Sequence, residues 1–562
     1  MTPNDPPPFS PIRSFWDGLS LIEKLATSSL LVMAIMQTVV MLFAAPAGDA
    51  SNHIFRIQEW HRMWQQGILY PRWLSSALHG FGSPAFYFYP PLVYVIASLV
   101  YAVLPSFSAD AVFRVVTVLA TLCSMGSFLF YLRSRKISGW RSWIAALLYG
   151  FAPYRYLDTQ VRGAIAEHTA FIFLPLILFG VDRLLIDAKK DRWSILTIAL
   201  GCFGLLITNI PASTVGLVGL AVYAVAQYRR ERRSLIWIVF GAAGLGICLA
   251  AFSLLPALLF GGAIRHELFQ QVSYRFGQSN TPLLDIFSLK NITINLFGVV
   301  TIVGALLMLP ALLVARSSGS AADQATNRAW RWTIYAVLFV QSPYLSGLMF
   351  EYFPPAVLVQ FPWRFDMLLL PVVSILLARD LQYHASRSAS LITLAWVCML
   401  FLVMGTRAAG LSINHHNPAA SDSTWEYMVP KWALPQDTTT DKELAPFRTL
   451  PEVSVVGLNS HESVQLLGTA AYADSLVLNF QQQHEVSFHR NYWPQWQVSS
   501  DGESIRTSYD TIGRLTITIG PGRHRVTLQL TTSSAEQAGG LTSGAALCAI
   551  FWVGFRRKGT LG

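Results

Sequence analysis

Gly48-Asp49-Ala50-Ser51-Asn52-His53-Ile54-Phe55-Arg56 follows directly on an apolar run over residues 25–45, long enough to cross the roughly 30 Å of hydrocarbon in a bilayer. Ionisable side chains this close to a hydrocarbon boundary need a reason. Asp49, His53 and Arg56 are spaced i, i+4, i+7, so a short helix carries a carboxylate, an imidazole and a guanidinium on one face. That is a reaction-site pattern placed at a membrane surface. Tyr70-Pro71-Arg72-Trp73 follows in the same polar stretch.

The rest of the chain agrees with a membrane setting. Of 562 residues, 53% are hydrophobic and 13% charged, and the mean hydropathy is +0.43, too apolar for a soluble protein of this length. The net charge of +10 sits in short basic clusters at the ends of apolar runs, where positive-inside topology places it, so nucleic acid is not expected as a partner. Cys123, Cys202, Cys248, Cys398 and Cys548 all lie in apolar blocks, which supports neither a disulfide framework nor a zinc site. Residues 1–24 read as a cytoplasmic tail before an uncleaved signal anchor.

Apolar runs near 25–45, 111–131, 140–157, 165–186, 193–208, 212–228, 234–260, 292–315, 331–350, 364–379, 389–409 and 540–555 predict about twelve spans. Basic clusters at Arg133, Arg135, Lys136 and Arg141, at Lys189, Lys190 and Arg192, at Arg229, Arg230, Arg232 and Arg233, at Arg379 and Arg387, and at Arg556, Arg557 and Lys558 are expected on the cytoplasmic side. Alternation from these anchors places residues 153–163, 261–290, 351–363 and 412–538 outside. The first outer loop is 46–85. Parity then requires that residues 86–104, which open with Tyr89-Pro90-Pro91, form an interfacial helix and not a crossing.

Residues 412–538 differ in kind, because helical periodicity gives way to alternation. Ser475–Phe480, Glu485–His489, Leu515–Ile519 and Arg525–Leu530 read as strands, the last two joined by the turn signal Gly520-Pro521-Gly522. This predicts a small extracytoplasmic β-sandwich, with a final span and basic tail in 539–562.

Several motifs carry a family resemblance. Asp49 with His53 and Arg56, Tyr70-Pro71-Arg72-Trp73, Gly80-Phe81-Gly82-Ser83-Pro84 and Phe88-Tyr89-Pro90-Pro91-Leu92 resemble the first outer loop of bacterial membrane proteins of the GT-C superfamily. More narrowly, the chain resembles the "6-pyruvoyl-tetrahydropterin synthase-related" membrane protein family. Pro153-Tyr154-Arg155 with Asp158, Arg162-Gly163 and Glu167, then Gln360-Phe361-Pro362-Trp363-Arg364-Phe365, Tyr492-Trp493-Pro494-Gln495-Trp496 and Pro521-Gly522-Arg523-His524 extend the likeness over most of the chain. The GT-C resemblance implies transfer of a sugar from a polyprenyl-phosphate donor to a lipid, glycan or protein acceptor at the outer face. It also implies Asp49 as the catalytic carboxylate and Asp158 as a second acid. The chain carries no clear Asp-X-Asp pair, so no cofactor is implied and a divalent metal is without support.

Such a transfer needs a base for the acceptor hydroxyl proton and positive charge for the departing phosphate. Asp49 fits the first need, with His53 placed to orient it or share its proton. Arg56, Arg72, Arg155, Arg162 and Arg364 fit the second, since a guanidinium fork matches phosphate oxygens. Trp73 and Tyr89 suit sugar stacking or an interfacial aromatic belt equally. Bland readings stand beside these. Asp49 caps a helix, His53 is a hydrogen-bonded structural residue, Arg56 snorkels or pairs with Asp49, Arg72 and Arg364 anchor at an interface, and Arg155, Asp158, Arg162 and Glu167 satisfy one another as buried charges. No phosphate-binding Gly-rich loop or Ser-hydrolase elbow occurs.

The sequence thus reads as a polytopic α-helical membrane protein of GT-C type. It has a helical domain over 25–411, an interfacial helix and an outer β-sandwich, and it lies in the bacterial inner membrane with the site on the extracytoplasmic face. The competing class is a non-catalytic protein that transports or scaffolds lipid-linked glycans.

Overall fold

The computed structural model describes residues 21–44, 48–137, 139–227, 233–265, 329–337, 358–359, 362–383, 428–433 and 450–555. The runs expected near 292–315 and 389–409, most of that near 331–350, most of the outer segments 261–290 and 351–363, and the basic residues Arg229, Arg230, Arg232, Arg387, Arg556, Arg557 and Lys558 lie outside the described residues.

The longer helices are α1 (Leu21–Phe43), α2 (Ala50–Gln65), α3 (Leu92–Val103), α4 (Ala109–Ser134), α5 (Trp140–Gly150), α6 (Ile165–Ala170), α7 (Leu174–Leu185), α8 (Arg192–Leu206), α9 (Ile210–Ala226), α10 (Arg233–Leu249), α11 (Ala251–Phe260), α12 (Asp366–Tyr383) and α13 (Ser534–Phe555). Local chemistry sets several of their starts. Ser108 accepts from the Ala111 N–H, Asp191 from Ser194 and Asn209 from Ala212, each satisfying a donor that a helix N-terminus leaves open. Asn209-Ile210-Pro211 is therefore a tight cap between α8 and α9.

Among the described residues, three helical stretches are long and apolar enough to cross a membrane: α4, Ile165–Leu185 and α13. A fourth is counted if α10 and α11, bent by 72°, make one crossing. The described residues thus support three or four crossings, against the twelve expected from the apolar runs. Chain breaks explain part of the difference. The run over 140–157 does not continue as one helix: α5 ends at Gly150, Pro153–Tyr156 forms a single turn, and Leu157–Val161 a π-turn. In 234–260 the break falls at Ala250. Within α11, Pro256 has no N–H to offer the carbonyl four residues back, and that carbonyl, on Phe252, accepts from Arg72 instead at 3.2 Å. Helix α3, at 12 residues, is about 18 Å long, short of the hydrocarbon thickness.

The C-terminal strands form two antiparallel sheets, ordered β1-β4-β8-β7 and β2-β3-β9-β5-β6. They are β1 (Val453–Val455), β2 (Ser463–Ala470), β3 (Ala473–Phe480), β4 (His484–Asn491), β5 (Trp496–Ser500), β6 (Glu503–Ile505), β7 (Ser508–Tyr509), β8 (Arg514–Ile519) and β9 (Gly522–Leu530). The four segments read as strands from alternation fall in β3, β4, β8 and β9. The turn at Gly520–Gly522 does not close a hairpin, because β8 pairs with β4 and β7 while β9 pairs with β3 and β5. It carries the chain from one sheet to the other.

Among the described residues, two large hydrophobic cores result. One joins the helices α4 to α10 with α12 and residues 329–337. The other is shared: Trp60 and Trp73 from the first loop, and Phe86, Tyr87 and Tyr94 from the stretch after it, pack with Phe488, Trp493, Trp496, Val526 and Leu528 of the β-domain. The β-domain is thereby built onto the first loop.

Candidate active site

Asp49 stands exposed at the start of α2, and its side chain makes no capping hydrogen bond. Its backbone is what is held. The Asp49 N–H donates to the Arg162 carbonyl at 2.7 Å. Gly48 makes that approach sterically feasible: its φ is +62°, and a Cβ there would lie 2.4 Å from the same Arg162 oxygen.

From Arg162 the site continues inward. Its Nη1 donates to Asp158 Oδ1 at 2.6 Å and to Glu167 Oε2 at 3.0 Å. Arg364 Nε reaches the same Glu167 oxygen at 2.9 Å, and Tyr154 donates its hydroxyl to Glu167 Oε1. Asp158, Glu167 and Arg364 are buried. Two guanidiniums therefore face two acidic groups, so the buried charges of the cluster have partners of opposite sign. One oxygen stays open: Asp158 Oδ2 is buried with no hydrogen-bond partner. Burial holds the Asp158 carboxyl well above the usual carboxylate range, with Glu167 adding to the effect and Arg162 and Arg364 opposing it. The spacing from Arg162 to Asp158 follows from the π-turn, which keeps i and i+4 on one side of the chain.

His53 and Arg56 form a neighbouring group on the buried face of α2. His53 Nδ1 lies 3.1 Å from the Tyr94 hydroxyl, and its ring meets Tyr89 edge-on. The Arg56 guanidinium sits 3.6 Å above the Tyr89 ring. Burial, and then the Arg56 charge, pushes the His53 pKa down to about 3, so the imidazole is neutral at physiological pH. Asp49 immediately precedes α2 and His53 lies in its first turn, but the imidazole is directed to Tyr94 and not to the carboxylate.

The other expected site residues stand elsewhere. Arg155 is fully buried, donating to Ser124 Oγ at 2.6 Å and contacting His168 Nε2 at 3.0 Å, with its guanidinium 4.7 Å from the Phe171 ring. Arg72 donates to Glu536 at 2.9 Å, and Tyr472 accepts the backbone N–H of both Arg72 and Trp73. Trp73 is completely buried between Trp493, Trp496 and Gly82. Arg72, Arg155 and Trp73, expected among the substrate-binding residues, thus stand apart from the Asp158–Glu167 cluster, in internal packing or pairing. Tyr154, Tyr94 and His168 were not singled out as site residues. Tyr154 lies inside the quoted Pro153-Tyr154-Arg155 motif, and His168 adjoins Glu167. Among the described residues no group of three or more His, Cys, Asp or Glu side chains is arranged to hold a metal.

The site lies at one end of the helical domain. Arg114, near the start of α4, bonds the Leu42 carbonyl at the end of α1, whereas Arg135 just beyond its end pairs with Asp187 at 3.1 Å and Asp182 at 3.5 Å. A helix of 26 residues separates these ends by about 39 Å. The Asp49 cluster and the basic loop after α4 are thus at opposite poles.

The sequence profile of a family described as "6-pyruvoyl-tetrahydropterin synthase related domain; membrane protein" matches residues 86–411. No curated protein matches. A solved chain of the arabinofuranosyltransferase AftD from Mycobacteria is similar at a TM-score of 0.39 and 16% identity, over 68% of this chain and 26% of that one. The present chain thus corresponds to about a quarter of the length of that protein.

Proposed function

The chain belongs to the 6-pyruvoyl-tetrahydropterin synthase related family of membrane proteins, and from that premise we propose that it is a membrane glycosyltransferase. In this reading it moves a sugar from a polyprenyl-phosphate donor to a lipid, glycan or protein acceptor on the extracytoplasmic face of a bacterial inner membrane. Asp49 takes the proton from the acceptor hydroxyl as the new bond forms to the anomeric carbon. The bond from that carbon to the phosphate oxygen breaks, and polyprenyl phosphate leaves with the electron pair. Arg162 and Arg364, held in place by Glu167, supply the positive field that stabilises the departing phosphate.

The observation that carries the reading is the junction of Asp49 with Arg162. The backbone of Asp49, whose exposed carboxylate has no capping role, is fixed through its N–H to the residue that organises a buried pair of acids. Positioned groups of this kind supply catalysis that a mobile surface acid does not. The test is complementation of a gene deletion, with lipid-linked and surface glycans compared by mass spectrometry. Wild-type chain restores a missing sugar and Asp49→Asn does not. Restoration by Asp49→Asn removes the catalytic proposal.

A second reading, binding or transport of lipid-linked glycans without chemistry, is favoured by one fact. Arg155 is held by Ser124 and His168, and Arg72 is ion-paired with Glu536, which reduces the cations open to a phosphate.

A further inference from the structure

Three aromatic rings stand together at one corner of the β-domain, outside the site above. Trp432, Tyr492 and Tyr509 come from separate stretches: the segment 428–433, the connection between β4 and β5, and the edge strand β7. Trp432 meets Tyr492 edge-on with centroids 4.9 Å apart, Tyr492 lies 5.4 Å from Tyr509, and Trp432 and Tyr509 are 6.4 Å apart and inclined by 47°. Tyr509 is 50% exposed and the other two are half-buried. Neighbouring residues are sorted in opposite ways: Trp493 is fully buried, while Tyr492 keeps part of its surface open.

The backbone beneath the rings is fixed. Tyr492 donates its N–H to the Gly513 carbonyl at 2.9 Å, and a Cβ on Gly513, whose φ is +83°, would fall 2.3 Å from the Trp432 carbonyl oxygen. Asp510 accepts from the Arg514 N–H at 2.8 Å and from its Nε at 2.7 Å, closing the turn after Tyr509. Lys431 donates its N–H to Ala263, which ties the Trp432 segment to the end of α11. Preorganised rings lose little entropy when they bind.

The rim is polar. The Lys431 ammonium lies 4.8 Å from the Trp432 ring centroid, and Arg506, Ser508 and Thr511 are exposed around Tyr509. A sugar ring presents an apolar C–H face bounded by hydroxyls, so it calls for aromatic faces of negative potential with hydrogen-bonding groups at their edges. A lipid surface would instead call for exposed aliphatic side chains among the aromatic ones.

We propose that Trp432, Tyr492 and Tyr509 form a saccharide-binding surface that holds the glycan acceptor. This deepens the transferase reading by giving the acceptor a place, and it is tested by binding alone, without turnover. The probes are uncharged oligosaccharides of glucose, mannose, galactose and arabinofuranose, offered to the full chain in lipid nanodiscs and read by hydroxyl-radical footprinting with mass spectrometry. At least one probe is expected to lower oxidation of all three rings severalfold. Tyr509→Ala, at a half-exposed position, is expected to weaken that probe about fivefold, Tyr509→Phe to stay within about twofold, and Asp49→Asn to bind as wild type. If Asp49→Asn keeps transferase activity while the rings still take sugar, the catalytic reading fails and the binding surface stands. The proposal is overturned if no probe protects the rings, if Tyr509→Ala binds unchanged, or if the nanodisc alone shields the rings relative to detergent, which would assign them to the membrane surface.

Discussion

The Asp49 N–H and the Arg162 carbonyl oxygen are 2.7 Å apart, so the first loop is pinned to the turn that carries the buried acids. Gly48 is the residue that permits this. Gly48→Ala places a methyl 2.4 Å from that oxygen on a backbone at φ +62°, and is expected to cost about 1–3 kcal/mol and to lower glycan product. Thermal unfolding in detergent alongside glycan profiling checks both effects. A variant with unchanged stability would remove the clasp from the argument.

Asp49→Asn separates chemistry from folding. The side chain is exposed and makes no capping bond, so stability is expected to change by no more than about 0.5 kcal/mol, while product falls by about a hundredfold or more. Purified variant and wild type with equal melting temperatures but unequal product give that result.

Arg162→Met tests the buried cluster. It leaves Asp158 without its ion-pair partner and Glu167 with Arg364 alone, and is expected to destabilise by about 3–5 kcal/mol. A melting temperature within a degree of wild type would mean that the acids do not need the charge.

His53 gives a pH dependence. Its folded pKa of about 3 lies below the unfolded value of about 6.5, so protons bind the unfolded state preferentially. Its contribution to stability is complete above about pH 6.5 and declines as the pH falls toward 3, at up to about 1.4 kcal/mol per pH unit. His53→Gln, which does not titrate, is expected to flatten this acid limb. Melting curves between pH 7 and pH 4 that remain parallel would exclude the effect.

Arg72 and Glu536 provide a test of how the β-domain is attached. The partly buried pair is 2.9 Å apart, and Glu536 also takes the Tyr87 hydroxyl at 3.4 Å. A double-mutant cycle with Arg72→Met and Glu536→Gln is expected to give a coupling of about 1–3 kcal/mol. Additive effects would show that the two contribute independently.

The sequence made some of this legible and hid the rest for identifiable reasons. Alternation in Leu476, Leu478, Val526 and Leu528 marks strands because each of these residues is buried on the inner face. The i, i+4, i+7 spacing in Gly48–Arg56 correctly places His53 and Arg56 on one helical face, but periodicity alone does not say that this face turns to Tyr89 and Tyr94 while Asp49 remains outside. The charged turn after α5 is legible as the outer loop 153–163, but no local pattern says that Arg155 turns to Ser124 and His168 while Asp158 and Glu167 share Arg162. Arg72 shows the limit most plainly. Pro71 and Trp73 beside it suggest an interfacial anchor, yet its partner is 464 positions away, a separation that no local pattern encodes.

Tyr472 accepts hydrogen bonds from the Arg72 and Trp73 N–H groups across 400 and 399 residues, and this imposes an order on biogenesis. At a synthesis rate of about 5–20 residues per second, the ribosome needs about 20–80 s after the early tryptophan is made to supply the tyrosine that completes its hydrogen bonds. Over a similar interval Trp73 and Tyr87 lack Trp493, against which both rings pack. A nascent polypeptide halted before the late strands would present this unshielded aromatic surface to quality-control proteases, so synthesis must reach those strands before the early loop is safe.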